Sequence, residues 1–223
     1  MNTLNEKLAL LQAKIKQEKP VTIMIMGLGS VGLYLFDYLV SLGDPGLHLV
    51  VTGRSREKLL TDVNIVRTAA AIRGCLKSKI DIEGNCDLED VGSVCAVIKK
   101  YSPDFIVNSS RVYSGLKYGS ISWHNLRAYG IWAPLSVRYA KNIMEAYEMA
   151  GSRAITINTS YSDAVILWLK SVGKAFFDFG SGNLNHLIPR IRFYVAEKWG
   201  IDDLNAIDVT LAASHFHDVV ISK

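Results

Sequence analysis

Six residues near the N-terminus carry the clearest chemical signal in the sequence: Gly27-Leu28-Gly29-Ser30-Val31-Gly32. Glycines at the first, third and sixth positions suit a backbone that turns tightly, approaches a ligand and then starts a closely packed helix. The first permits the turn, and the second removes a side chain where a diphosphate would lie. The third lets the helix sit against its strand. Behind such a turn, a helix N-terminus points unpaired N–H groups at negative charge. The pattern alone occurs by chance, so its surroundings decide. It follows VTIMIM, a continuous apolar run expected of a strand covered on both faces, and opens SVGLYLFDYLVSLG, which reads as a helix stopped at Gly43. Gly27, Leu28, Gly29, Ser30, Val31 and Gly32 are therefore the candidate cofactor-binding turn, and the ligand class is a dinucleotide.

The end of the next strand selects among dinucleotides. LHLVVTG (47–53) reads as a second buried strand, followed by Arg54-Ser55-Arg56, with no acid before Glu57. An NAD site usually offers a carboxylate here to the ribose hydroxyls. A carboxylate would repel a 2′-phosphate, whereas Arg54 pairs with one in forked geometry and Ser55 donates a hydrogen bond. NADP is the expected cofactor, with NAD as the alternative. The plainer reading of Arg54 and Arg56 is that of solvated residues beginning a helix.

Two later strands end in small polar residues: Asn108-Ser109-Ser110 and Asn158-Thr159-Ser160. At the carboxyl edge of a parallel sheet these suit a ligand crevice, and Asn108 and Ser109 join the candidate cofactor residues. They suit plain strand termini equally well.

The elements that must position these residues alternate strand and helix along the chain. Helical stretches at 55–74, 88–101 and 133–150 separate strands at 76–82, 104–110 and 153–160, and shorter helices follow at 163–173 and 187–200. Such alternation predicts an α/β doubly wound parallel sheet, a Rossmann domain, with right-handed crossovers. Residues 3–18 place Leu4, Leu8, Leu11 and Ile15 on one face of an N-terminal helix that Thr3 caps and Lys19-Pro20 ends. That helix packs against the sheet or against a sister subunit, so a homo-oligomer is one expectation. The segment 111–130 reads as a loop or lid, and 205–223 as two short strands around a polar turn. The expected organisation is an N-terminal helix (1–20), an NAD(P)-binding domain (21–175) and the start of a smaller α+β substrate region (176–223).

Composition narrows the partners. The 223 residues are 49% apolar and 21% charged, with a net charge of +4. A weak positive field suits an anionic small-molecule substrate, and without a basic run it argues against nucleic acid. The longest apolar run is too short to span a bilayer, and nothing resembles a signal peptide. Cys75, Cys86 and Cys95 follow no metal-ligand spacing and read as reduced thiols. No metal is expected, and the cytoplasm is the expected compartment.

The glycine turn, TINTSYSD (156–163), GSGNLNHLIPRIR (180–192) and ASHFHD (213–218) together resemble the lactate/malate dehydrogenase superfamily. That resemblance covers most of the chain from Val21 onward, and only its first motif is specific. It implies an NADP(H)-dependent oxidoreductase that transfers hydride to or from a small carbonyl or hydroxy compound. His215 would exchange a proton with the substrate, which suits a histidine because it titrates near neutrality. Arg190 would hold a substrate carboxylate, and Asn158 would hydrogen-bond the nicotinamide ribose or the substrate. The sequence departs from the family pattern in several places. Leu187 stands where an aspartate orients the histidine, which leaves Asp163 or Asp218 for that task. Asn-Thr-Ser replaces Asn-Pro, and the lid arginine has only Arg111 and Arg127 as candidates. The chain also ends just after the histidine turn, which keeps a non-catalytic dinucleotide-binding or sensing protein in view.

A weaker likeness is to extended short-chain dehydrogenases and epimerases. LEDVGSVCAVIKKYSPDFIVNSS (88–110) is similar to their helix–strand unit, and Tyr113 and Lys117 match their Tyr-x-x-x-Lys pair. There a lysine lowers the tyrosine pKa so that it can act as the acid–base group. The pair follows the fourth strand sooner than that family places it.

Overall fold

The computed structural model describes residues 3–112, 132–182 and 187–210. The chain divides into two compact units, Met1–Gly180 and Ser181–Lys223.

The first unit is built on six parallel strands: β1 (Val21–Met26), β2 (Leu47–Thr52), β3 (Lys79–Glu83), β4 (Phe105–Asn108), β5 (Ile155–Asn158) and β6 (Phe179–Gly180). They lie in the order β3-β2-β1-β4-β5-β6. All five pairings are parallel, with Met26 aligned to Thr52 on one side and to Asn108 on the other. The winding direction reverses between β1 and β4, so the carboxyl ends of those strands open a crevice.

Alternation along β1 divides its side chains between two helical layers, because successive residues of a strand face opposite sides. Ile25 packs with Phe36 and Val40 of α2 (Ser30–Ser41) and with Leu59 and Val63 of α3 (Arg56–Ile72). Met24 and Met26 pack on the other face with α4 (Val91–Tyr101), α5 (Trp132–Met149) and α6 (Ser162–Ser171). Both faces are covered, which is why β1 and β2 read as unbroken apolar runs.

The N-terminal helix α1 (Leu4–Lys16) packs on this same sheet, against β1 and β5. Thr3 and Glu6 form its capping box, with the Thr3 N–H donating to Glu6 Oε2 at 2.8 Å. Lys7, polar by type, is 1% exposed, and its Nζ lies 2.7 Å from Asp178 Oδ2. The same carboxylate oxygen accepts from the Thr156 N–H at 2.8 Å, so one buried ion pair fastens α1 to β5 and to the approach of β6.

β6 is the element that the residue pattern does not announce, since two residues leave no apolar period to read. It lies at Phe179–Gly180, and Ala175 and Phe177 just before it in the chain are buried in the core. The second unit contains α7 (Leu187–Trp199) and a 3-10 turn, Leu204–Ala206, in a stretch expected to begin a strand. Residues 211–223, and the second strand expected there, lie outside the described residues.

Candidate functional site

β1 runs straight into the glycine turn. Gly27 has φ +91°, and its N–H donates to the Thr52 carbonyl at 3.2 Å. A Cβ on Gly27 would lie 2.9 Å from Ser110 Cα, so both conformation and space require glycine. A Cβ on Gly32 would lie 2.2 Å from the Gly27 carbonyl oxygen, whereas one on Gly29 would meet nothing within 4 Å. Gly29 therefore leaves open space at the mouth of α2, which it caps without any side-chain hydrogen bond. Among the described residues the backbone N–H groups of Leu28 to Gly32 have no hydrogen-bond partner. Five unpaired donors at the positive end of a helix make a cradle that fits a diphosphate.

The turn forms one wall of a cleft of about 520 Å³ at the carboxyl edge of the sheet. Arg54, Ser55 and Lys58 line it beyond the end of β2. Arg54 is exposed and has no ion pair among the described residues. Ser55 is the N-cap of α3, where its oxygen accepts from the Lys58 N–H at 3.4 Å, so its hydroxyl proton remains available to a ligand. Arg56 is committed elsewhere, donating to the Ile82 carbonyl at 2.6 Å. Lys58 is the cation that sequence reading missed. Its spacing three residues beyond the cap was the available signal, because that returns it to the same face of the first helical turn. Glu57 does not line the cleft; Asp62 is its one acidic lining residue among those described.

Cys86 and Tyr139 also line the cleft, and both are buried. Burial pushes the Cys86 thiol up to about 11, against the opposing effect of a hydrogen bond with Thr52. Burial likewise holds the Tyr139 hydroxyl above the ordinary phenol range, although the Arg54 charge pulls it down. Neither is an ionised nucleophile at neutral pH.

At the other side of the turn, Ser109 lines the cleft and its Oγ donates to the Gly27 carbonyl at 2.6 Å. Asn108 and Asn158 do not line it. They are 1% and 0% exposed, and Asn108 Nδ2 donates to Asn158 Oδ1 at 2.8 Å. Asn158 Nδ2 donates to the Ser160 carbonyl at 2.8 Å, while Asn108 Oδ1 accepts from Ser110 Oγ at 2.5 Å. Their amides are spent joining the ends of β4 and β5, and burial closes them from the cleft. Ser160 is 4% exposed, and its Oγ has no partner among the described residues.

Of the remaining candidates, Arg190 is an exposed residue of α7 in the second unit, and Leu187 is the first residue of that helix. Asp163 lies in the first turn of α6. Arg111 lines the cleft just past β4. His215, Asp218, Arg127, Tyr113 and Lys117 lie outside the described residues. Among the described residues there is no group of three or more His, Cys, Asp or Glu that could hold a metal ion. No described helix is long and apolar enough to cross a membrane.

No protein-family model matches this sequence, and no curated protein matches it. Solved structures do. The lactate dehydrogenase of Eimeria maxima, solved with NADH and oxamate, is similar with a TM-score of 0.57 and 12% identity, over 82% of this chain and 50% of that one. The lactate dehydrogenase of Cryptosporidium parvum, complexed with lactic acid and β-nicotinamide adenine dinucleotide, matches at 0.54 and 15% identity over 82% and 51%. The malate dehydrogenase of Plasmodium falciparum matches at 0.51 and 18% identity over the same shares. At these identities the likeness is one of fold: an α/β Rossmann sheet of the kind found in lactate and malate dehydrogenases. The chain spans about half the length of those enzymes.

Proposed function

We propose that this chain binds NADP(H) in the cleft at the carboxyl edge of its sheet. We further propose that it serves an oxidoreductase acting on a small, anionic carbonyl or hydroxy compound. The observation that carries the reading is the pairing of two features in one cleft. Five amides without a partner among the described residues front α2, and Arg54, Ser55 and Lys58 stand just beyond the end of β2 where an acid would otherwise lie. The first suits a diphosphate, and the second suits a further phosphate on the adenosine ribose.

When bound, the nicotinamide ring would supply or accept hydride. The chain's own residues bind and orient. Leu28 to Gly32 present the backbone donors, and the open space at Gly29 admits the phosphates. Arg54 and Lys58 neutralise the second anion, and Ser55 donates to it. The proton partner and the substrate-holding cation are assigned by resemblance to His215 and Arg190. A titration of the native protein with NADP and NAD, followed by a turnover assay over 2-oxo acids, tests the reading. Preference for NADP with turnover supports it, and equal affinity for both nucleotides removes the NADP assignment.

A non-catalytic dinucleotide-binding role is the second reading. It is favoured by Asn158, whose amide is occupied by Asn108 and Ser160 rather than turned toward a substrate. Binding without turnover selects it.

A further inference from the structure

We propose that Ser109 is a positioning residue whose hydroxyl ties back the Gly27 carbonyl and thereby aims the glycine-turn amides at the diphosphate of the ligand. The inference rests on the dinucleotide reading above. It goes beyond that reading by assigning Ser109 an effect on affinity exerted through the backbone.

The argument starts from what glycine makes unstable. Gly27 sits at φ +91° and lacks the Cβ that would restrict rotation of the peptide following it. Left to itself, that peptide can turn its carbonyl outward, where the oxygen would repel a phosphate in the cradle. One bond opposes this rotation, and a second anchors the peptide before it. The Gly27 N–H donates to Thr52 on β2, and the Gly27 oxygen accepts from Ser109 just past β4. The residue is held from both neighbouring strands.

The Ser109–Gly27 bond is short, at 2.6 Å, whereas the same hydroxyl lies 3.4 Å from the Met26 carbonyl. Ser109 is only 8% exposed and is itself held, its N–H donating to Met26 at 3.0 Å. Because a peptide unit is planar and trans, a carbonyl drawn toward Ser109 turns the Leu28 N–H the opposite way. That N–H is the first of the unpartnered donors.

Gly32 completes the device. A Cβ there would lie 2.2 Å from the Gly27 oxygen and 2.6 Å from Ser109 Oγ. In this chain the third glycine makes room for the hydrogen bond itself, as well as for helix packing. A serine whose only task was to finish β4 would not need that space kept clear.

The test is a calorimetric titration of NADP and of adenosine 2′-monophosphate, a probe without the diphosphate, into the native protein and Ser109→Ala. Circular dichroism melts accompany each variant. The expected result is about tenfold weaker NADP binding by Ser109→Ala, the scale of one lost hydrogen bond, with the affinity for adenosine 2′-monophosphate unchanged. Ser109→Cys keeps the size but is a weaker donor, and an intermediate loss for NADP alone is expected. If Ser109→Ala does not fold, Ser109→Cys carries the test on the same criteria. Native-like NADP affinity in the variants overturns the inference, as does an equal loss for both probes, which marks a merely structural residue. A native protein that binds neither probe overturns the dinucleotide reading itself, and the two failures are thereby distinguished.

Discussion

Asn108 and Asn158, the last residues of adjacent strands, join their side-chain amides at 2.8 Å in the interior of the sheet. The relationship ties Asn158 into the frame of the sheet. Asn158→Ala would leave Asn108 Nδ2 and the Ser160 N–H and carbonyl without buried partners, at a cost of about 1–3 kcal/mol. Urea denaturation measures that loss, and NADP affinity is expected to follow the native value. Undiminished stability combined with lost turnover would return Asn158 to a direct role at the substrate.

Arg54 gives the sharpest test of cofactor choice. Removing a charge-assisted pair costs about 1.5–3 kcal/mol, so Arg54→Ala should weaken NADP by roughly 10- to 150-fold and leave NAD nearly unchanged. Lys58→Ala, which removes the second cation of the same cleft wall, should act in the same direction. Increasing salt should weaken NADP binding by the native protein more than by either variant, because the lost attraction is coulombic.

The three glycines of the turn should respond differently. Gly29→Val places a side chain in open space on extended backbone, so folding should be intact and dinucleotide binding abolished. Gly32→Ala drives a Cβ into the Gly27 carbonyl, and the melting temperature itself should fall. Nucleotide titration together with thermal melts separates the two. A Gly29→Val protein that still binds NADP would falsify the placement of the diphosphate at this turn.

Cys86 should be nearly inert despite lining the cleft. A thiol pushed up to about 11 is roughly 0.1% thiolate at pH 8, and the thiolate is the reactive form. Iodoacetamide at pH 8, followed by peptide mass mapping, is expected to label the half-buried Cys75 before Cys86. The raised value also sets a direction for stability. The contribution of Cys86 is full below its ordinary value of 9.0 and is lost as pH rises through about 11, because only the unfolded thiol ionises in that window. A melting temperature that holds steady across that window in the native protein would contradict this.

Local chemistry already determines much of this protein in its sequence. Apolar runs at 21–26 and 47–52 declare strands buried on both faces, because a parallel sheet leaves no wet side. Gly27, Gly29 and Gly32 declare the turn, because only residues without a Cβ meet its steric demands. Arg54 in place of an acid states a charge preference at the end of β2, because like charges repel. The tertiary structure decided what depends on distant partners. The two-residue β6 exists only through its pairing with β5. Lys7 is buried, against its type, because Asp178 lies 171 residues away in sequence yet within hydrogen-bond reach. The Asn158 amide pairs with Asn108 across adjacent strand ends, and the Arg56 guanidinium donates to the Ile82 carbonyl on β3, partners that no local pattern announces. In each case residue type sets what a side chain is able to do. The partners that folding brings within hydrogen-bond reach determine which of those capacities remains free for a ligand.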